Sequence, residues 1–261
     1  MQARVRIRLA LVVFAAAAGL AAREARALDA FEIQVYDGTA NAPGVAGLEL
    51  HANDVASGLA TAPAPELAPN HQAHFTLEPS YGVLPFWELG GYLQTALRPD
   101  GAYEFAGAKL RSKLVTTSAF SMRARLGANL ELSWVPARYE AARWGVELRP
   151  IAAWSAGHVA LAVNPIVGFA PTEGTATFEP AALALFAFPG VASLGLEYYA
   201  DLGRLTGLSA PRDQEHYLFE VVNLLGLRNV EINAGVGEGL TAASNPLVVK
   251  VILGYTFERA R

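Results

Sequence analysis

"FSMRARLGANLELSW", residues 120 to 134, changes character at every step. Phe120, Met122, Ala124, Leu126, Ala128, Leu130, Leu132 and Trp134 are apolar, whereas Ser121, Arg123, Arg125, Gly127, Asn129, Glu131 and Ser133 are polar or glycine. Steps of three and four from Phe120 reach Arg123, Ala124, Gly127 and Glu131, a mixed face that no amphipathic helix would present. Period two fits without exception and predicts an extended strand with one apolar and one polar side. Soluble strands usually run about five or six residues. This run is more than twice that, long enough to cross a bilayer at a tilt.

Other segments repeat the pattern. In 45–55, Leu48, Leu50 and Ala52 oppose Glu49, His51 and Asn53; in 73–83, Phe75, Leu77 and Tyr81 oppose His74, Thr76, Glu78 and Ser80. In 86–96, Trp87, Leu89 and Leu93 oppose Glu88, Tyr92 and Gln94; in 142–154, Trp144, Val146, Leu148 and Trp154 oppose Glu147 and Arg149. The run 247–257 sets Leu247, Val249, Val251, Leu253, Tyr255 and Phe257 against Lys250, Gly254 and Thr256. Adding 102–115, 158–168, 176–188, 191–201, 214–222 and 229–237 gives about twelve strands. In 102–115, Lys109, Arg111 and Lys113 alternate with Ala108, Leu110 and Leu114, but Tyr103 and Phe105 break the register, which predicts a bulge.

The connections after odd strands (56–72, 97–101, 135–141, 169–175, 202–213, 238–246) tend to be longer and carry Pro, Gly, Ser and Asp. Those after even strands (84–85, 116–118, 155–157, 189–190, 223–228) are mostly tight. Alternating long and short ends are the mark of a membrane-spanning β-meander. A soluble sandwich or lipocalin-like barrel also alternates. The strand length, the Ala and Gly of the apolar face and the aromatics near segment ends (Trp87, Trp134, Tyr139, Trp144, Trp154, Tyr198, Tyr199, Tyr255, Phe257) favour the membrane. The expected fold class is all-β: a single antiparallel transmembrane meander β-barrel in the outer membrane, after a cleaved signal peptide.

Composition agrees. Of 261 residues only 17% are charged, the net charge is −4, and the mean hydropathy is +0.26. No basic excess points to nucleic acid. The absence of cysteine excludes thiol chemistry and disulfides. Arg4, Arg6 and Arg8 precede an apolar run, Leu9 to Ala22, and "ARA" at 25–27 offers a cleavage site before Leu28. The expected division is 1–27 signal peptide, 28–44 N-terminal periplasmic segment and 45–261 barrel. "FEIQVYDG" at 31–38 is open between an extra strand, a periplasmic clasp and a segment entering the barrel.

Two stretches carry resemblances. "KVILGYTF" (250–257) resembles the C-terminal insertion signal of Gram-negative outer-membrane barrels, with Lys250, Tyr255 and Phe257 in place, Ile252 at the usual glycine position and "ERAR" following. "LEPSYGVLPFWELGGYLQ" (77–94) resembles a hairpin of the transporter-like outer-membrane barrels associated with phenol-degradation clusters. The resemblance implies the barrel fold; the substrate is not carried over.

If the apolar face meets lipid, the polar face lines the interior. By register that face carries Glu49, Glu78, Glu88, Glu131, Glu147, Glu179, Glu197, Glu220 and Glu231, with Lys109, Arg111, Lys113, Arg123, Arg125, Arg149 and Lys250. Two arrangements are open: an ion-pair network filling the bore, or a hydrated pore with a basic wall on the fourth to sixth strands opposite an acidic one. Passage of small solutes is the expected function, and a plugged structural barrel the alternative. No enzyme is expected. A lipid hydrolase would need a Ser-His-acid set such as Ser80, His74 and Glu78, but these face inward, and no G-x-S-x-G or H-E-x-x-H occurs. His51, His71 and His74 lack a metal spacing signature, and "GVGEGL" (235–240) opens a loop, not a helix. Neither a cofactor nor a metal is expected. Expected partners are membrane lipid, lipopolysaccharide, the barrel-assembly machinery through the last strand, and a small-molecule solute. The Pro- and Ala-rich loop 56–72 either folds inward as a constriction or stays outside.

Overall fold

A computed structural model of the protein describes residues 29–116 and 123–257. The signal-peptide expectation, 1–27, and the first residues of the opening stretch, 120–122, lie outside the described residues. Among the described residues, fourteen strands form one antiparallel sheet. They are β1 (Ala46–Ser57), β2 (Ala73–Leu84), β3 (Trp87–Leu97), β4 (Tyr103–Val115), β5 (Ala124–Trp134), β6 (Trp144–Ala156) and β7 (Val159–Ala170). There follow β8 (Thr175–Phe188), β9 (Ala192–Asp201), the short pair β10 (Gly203–Arg204) and β11 (Gly207–Leu208), then β12 (Glu215–Leu224), β13 (Val230–Gly239) and β14 (Leu247–Phe257). The short pair extends the edge of β8 above the wall and has no counterpart in the sequence expectation. The other twelve are the wall. Each pairs with its sequence neighbours, β9 with β12, and β1 with β14, from Ala46 opposite Phe257 to Ser57 opposite Leu247. The ring is closed and leaves no wall edge unpaired.

The outer face is an aliphatic band between two aromatic rims. Leu93, Leu110, Leu132, Val163, Leu196 and Val236 are among its exposed residues. Tyr103, Phe105, Trp144 and Phe169 stand at the long-loop end, and Tyr81, Trp154, Phe186, Tyr255 and Phe257 at the short-turn end. So much exposed apolar surface on every side has no place in water. It suits hydrocarbon bounded by two interfaces. Two aromatics expected in the rims are elsewhere: Tyr199 is buried on the inner face and Tyr139 under a loop.

The bulge expected in β4 is present. Gln94 pairs with Gly107 but Thr95 pairs with Phe105, so Ala106 is the additional residue. Gly107 takes φ +148°, and a Cβ there would stand 2.6 Å from the Gln94 side chain. The shift turns Tyr103 and Phe105 outward and Ala106 inward. In β5 the expected alternation holds from Ala124 on: Leu126, Leu130 and Leu132 are exposed, Asn129 and Glu131 buried.

Candidate functional site

The bore is filled by the chain itself. Residues 29–44 run through it from the long-loop end to the short-turn end before β1 begins. At the long-loop end Phe31 packs edge-on against His74 and Tyr139, at 4.6 and 5.8 Å between ring centres. At the other end the Gly44 N–H donates to Gly82 O at 2.8 Å. Phe31, Glu32, Ile33, Val35 and Tyr36 are buried. The described part of 28–44 therefore lies within the barrel wall and is not a separate periplasmic segment, and of the three alternatives for 31–38 the chain takes the segment that enters the barrel.

This segment does not pair with the wall as a strand. Wall side chains meet its backbone instead. Asn53 Nδ2 donates to Ala30 O at 2.9 Å, Lys250 Nζ to Ile33 O at 2.9 Å, and Arg149 to Gln34 O at 3.0 Å. Asn164 accepts from the Tyr36 N–H at 2.7 Å and donates back to Tyr36 O at 3.0 Å. Arg125 Nε donates to Asp37 O at 2.9 Å, and Glu88 accepts from the Asn41 N–H at 2.6 Å. A buried backbone group without a partner is costly. These side chains remove that cost without a ladder.

The two sides of the segment meet different walls. Ile33 and Val35 join Ala153, Ala162, Ile166, Leu183, Tyr217, Phe219, Val221 and Val248 in one apolar cluster. On the other side lie charges. Glu32 accepts from Tyr36 and Tyr92 hydroxyls at 2.8 and 3.2 Å and lies 3.6 Å from Arg149. Lys109 bridges Asp29 and Glu131. Arg111 clamps Glu78 at 2.6 Å and Glu88 at 2.8 Å, Lys113 reaches Glu88 at 2.9 Å, and Arg149 reaches Glu147 at 2.8 Å. The Tyr36 ring lies 4.5 Å from the Arg149 guanidinium, a cation–π contact. A space of about 20 Å³ is left beside Arg149, between Gln34 and Glu179, enough for roughly one water.

Most expected lining residues face this interior. Lys250 meets Glu197, Arg125 meets Asp37, and Glu179 accepts from Thr177. Glu49 and Glu231 stand toward the short-turn end, where Gly254 lies between them in register. Arg123 is exposed at the turn before β5. Glu220 points the other way. Its strand buries Tyr217, Phe219 and Val221 and exposes Leu218 and Glu220, so this carboxylate sits on the outer face between Leu196 and Val236. The expected opposition of a basic and an acidic wall is also replaced. Lys109, Arg111, Lys113, Arg125 and Arg149 each pair with an acid on the same or a nearby strand or on the bore segment, and across the bore the apolar cluster lies beside Glu179 and the Lys250–Glu197 pair.

Ser80, His74 and Glu78 do not converge. Ser80 Oγ accepts from Asn41 Nδ2 at 2.9 Å, His74 meets Phe31 edge-on, and Glu78 binds Arg111 and His51. His51, His71 and His74 are not brought together either; His51 meets Glu78 and Glu49 instead. The loop after β1 leans over the long-loop mouth. Its Leu67 N–H donates to Arg138 O at 2.8 Å, its Glu66 accepts from Ala141 N–H at 2.9 Å, and Leu67 packs on the cluster of Phe31 and Tyr139. Burial and the adjacent Glu104 carboxylate hold the Tyr139 phenol well above its usual range.

A closed twelve-strand wall, apolar outside and lined inside by charged pairs and an apolar cluster, decides the comparison. The fold is that of outer-membrane channels. The COG4313 outer membrane channel from Pseudomonas putida F1 aligns over 87% of this chain and 100% of its own, with a TM-score of 0.62 at 12% identity. KdgM porin aligns over 81% and 99%, with a TM-score of 0.55 at 10% identity. Its complex with disordered oligogalacturonate gives 0.52 at 11% identity, over 81% and 99%. No protein-family model and no curated protein matches the chain.

Proposed function

We propose that the protein is an outer-membrane channel for small solutes, closed by its own residues 29–44, and that passage requires this segment to move. The carrying observation is how the segment is held. Its backbone is met by Asn53, Lys250, Arg149, Asn164, Arg125 and Glu88 side chains. Such bonds exchange for water one at a time, whereas a strand ladder would have to be broken as a unit. On this reading the short turns face the periplasm and the long loops the outside. Residues 1–27 are a cleaved signal peptide, and the C-terminal strand is what the assembly machinery reads. Lipid and lipopolysaccharide contact the outer face. The same reading makes the protein a channel and not an enzyme.

The second reading is a permanently filled structural barrel, favoured by the pairing of Arg111, Lys109 and Arg149 with neighbouring acids. Removal of residues 29–40 from the exported chain separates the two. A channel should conduct more in planar bilayers after the deletion, and the intact protein should conduct intermittently. An intact barrel that never conducts and passes no sugar in liposome swelling overturns the channel reading.

A further inference from the structure

Toward the short-turn mouth four neighbouring strands bring Glu231, Gly254, Glu49 and Glu78 side by side in register. Gly254 supplies no side chain, and a Cβ there would stand 3.2 Å from Glu231 Cβ and 3.3 Å from Glu49 Cγ. One inward-facing position further along β1, His51 is fully buried and aims Nε2 at Glu78 Oε2, 3.0 Å away, and Glu49 Oε2, 3.5 Å away. Glu78 gives its other oxygen to Arg111. Glu49 Oε2 is buried with no hydrogen-bond partner. An imidazolium hydrogen-bonded to Glu78 would reach Glu49 only at the longer 3.5 Å separation, with Glu231 adding a further carboxylate alongside.

The three donor atoms lie within 4.8 Å of one another. A tetrahedral ion with bonds of about 2.0–2.1 Å holds its ligand atoms roughly 3.3 Å apart. The two separations to His51 Nε2, 3.0 and 3.5 Å, bracket that spacing. An imidazole nitrogen suits zinc and its first-row neighbours, whereas calcium and magnesium select all-oxygen shells. We propose that Glu49, His51 and Glu78 form a binding site for a divalent first-row transition ion, of which zinc is the reference. The half-buried Glu49 gives the ion a path from the short-turn mouth. Glu78 is shared with Arg111, whose guanidinium lies 5.9 Å from the Tyr36 ring, so the ion would sit one residue removed from the segment in the bore. The site does not depend on the channel reading.

The test is zinc titration of the refolded full-length barrel in detergent, in competition with a chromophoric chelator. One zinc per barrel is expected. Loss of an outer-shell partner alone costs about 10- to 100-fold in metal affinity, so His51→Gln, a direct ligand, should cost at least about 100-fold. Glu49→Gln should also weaken binding, and His74→Gln should not. Heat-modifiable gel mobility reports whether each variant is folded; if His51→Gln is not, the partly exposed Glu49→Gln decides. The proposal is overturned if the wild type takes up no stoichiometric zinc, if folded Glu49→Gln binds as tightly as wild type, or if His74→Gln is the variant that loses the ion.

Discussion

Replacing Ile33 with alanine asks whether the segment in the bore can leave its seat while the barrel stays folded. Ile33 is fully buried, in the cluster with Val35, Tyr217, Phe219, Val221 and Val248. Truncating a buried isoleucine to alanine costs about 2–5 kcal/mol, part transfer and part cavity. The cost falls on the seated state, because outside the bore residue 33 meets water in either variant. At about 1.4 kcal/mol per tenfold, the ratio of seated to unseated segment should fall by about 30-fold to about 4,000-fold. Single-channel recording reads this as the fraction of time spent conducting. Leu253→Ala, on the exposed outer face of β14, is the matched control and should leave that fraction unchanged. An Ile33→Ala barrel that conducts no more often than wild type while its global unfolding midpoint drops would refute an independently mobile segment. The segment would then leave only when the whole barrel unfolds.

Arg111→Ala should lower barrel stability by about 3–5 kcal/mol in urea unfolding from vesicles, because Glu78 and Glu88 stay buried without their shared cation. Arg111→Lys should lose less, keeping the charge but not the forked geometry. Glu220→Leu should raise the unfolding free energy in vesicles by roughly 1–2 kcal/mol, since it removes a carboxylate from the lipid-facing band. A gain of the same size in lipid-free detergent would point away from a membrane effect. Gly82→Ala should loosen the chain just before β1, where the new Cβ would stand 2.2 Å from Ala42 O and 2.4 Å from Asn41 O. Faster protease cleavage near residue 42, with the barrel still folded, would report it.

The wall was legible where its two faces differ in chemistry. Leu126, Leu130 and Leu132 against Asn129 and Glu131 leave β5 a single register, because a slip of one residue would put Glu131 into lipid. The break at Tyr103 and Phe105 announced the β4 bulge for the same reason. In β12 this logic fails. Tyr217, Phe219 and Val221 are as apolar as the outer residues because they pack with Ile33, so the lone Glu220 marks the wrong face as the interior. Its true neighbours, Leu196 and Val236, are visible only once strands are paired.

The place of the bore segment stays open in the sequence for a related reason. "FEIQVYDG" alternates like a strand with one face in water, but both of its faces are buried. Its alternation records two unlike inner walls, apolar at Ile33 and charged at Glu32 and Tyr36. Charge pairing across strands was likewise beyond a reading of single segments. Arg111 of β4 meets Glu78 of β2 across the intervening β3, and Lys109 meets Asp29 because the bore segment runs past β4.

The path of residues 29–44 also constrains assembly. The chain passes through the ring that its own first and last wall strands close, so its leading end must go in thin. It either lies in place before β1 meets β14 or is drawn in later as an unfolded thread. A folded passenger domain fused ahead of Asp29 cannot follow by the second route. If such a fusion still yields a filled bore, the leading end was laid down first and the wall was zipped around it.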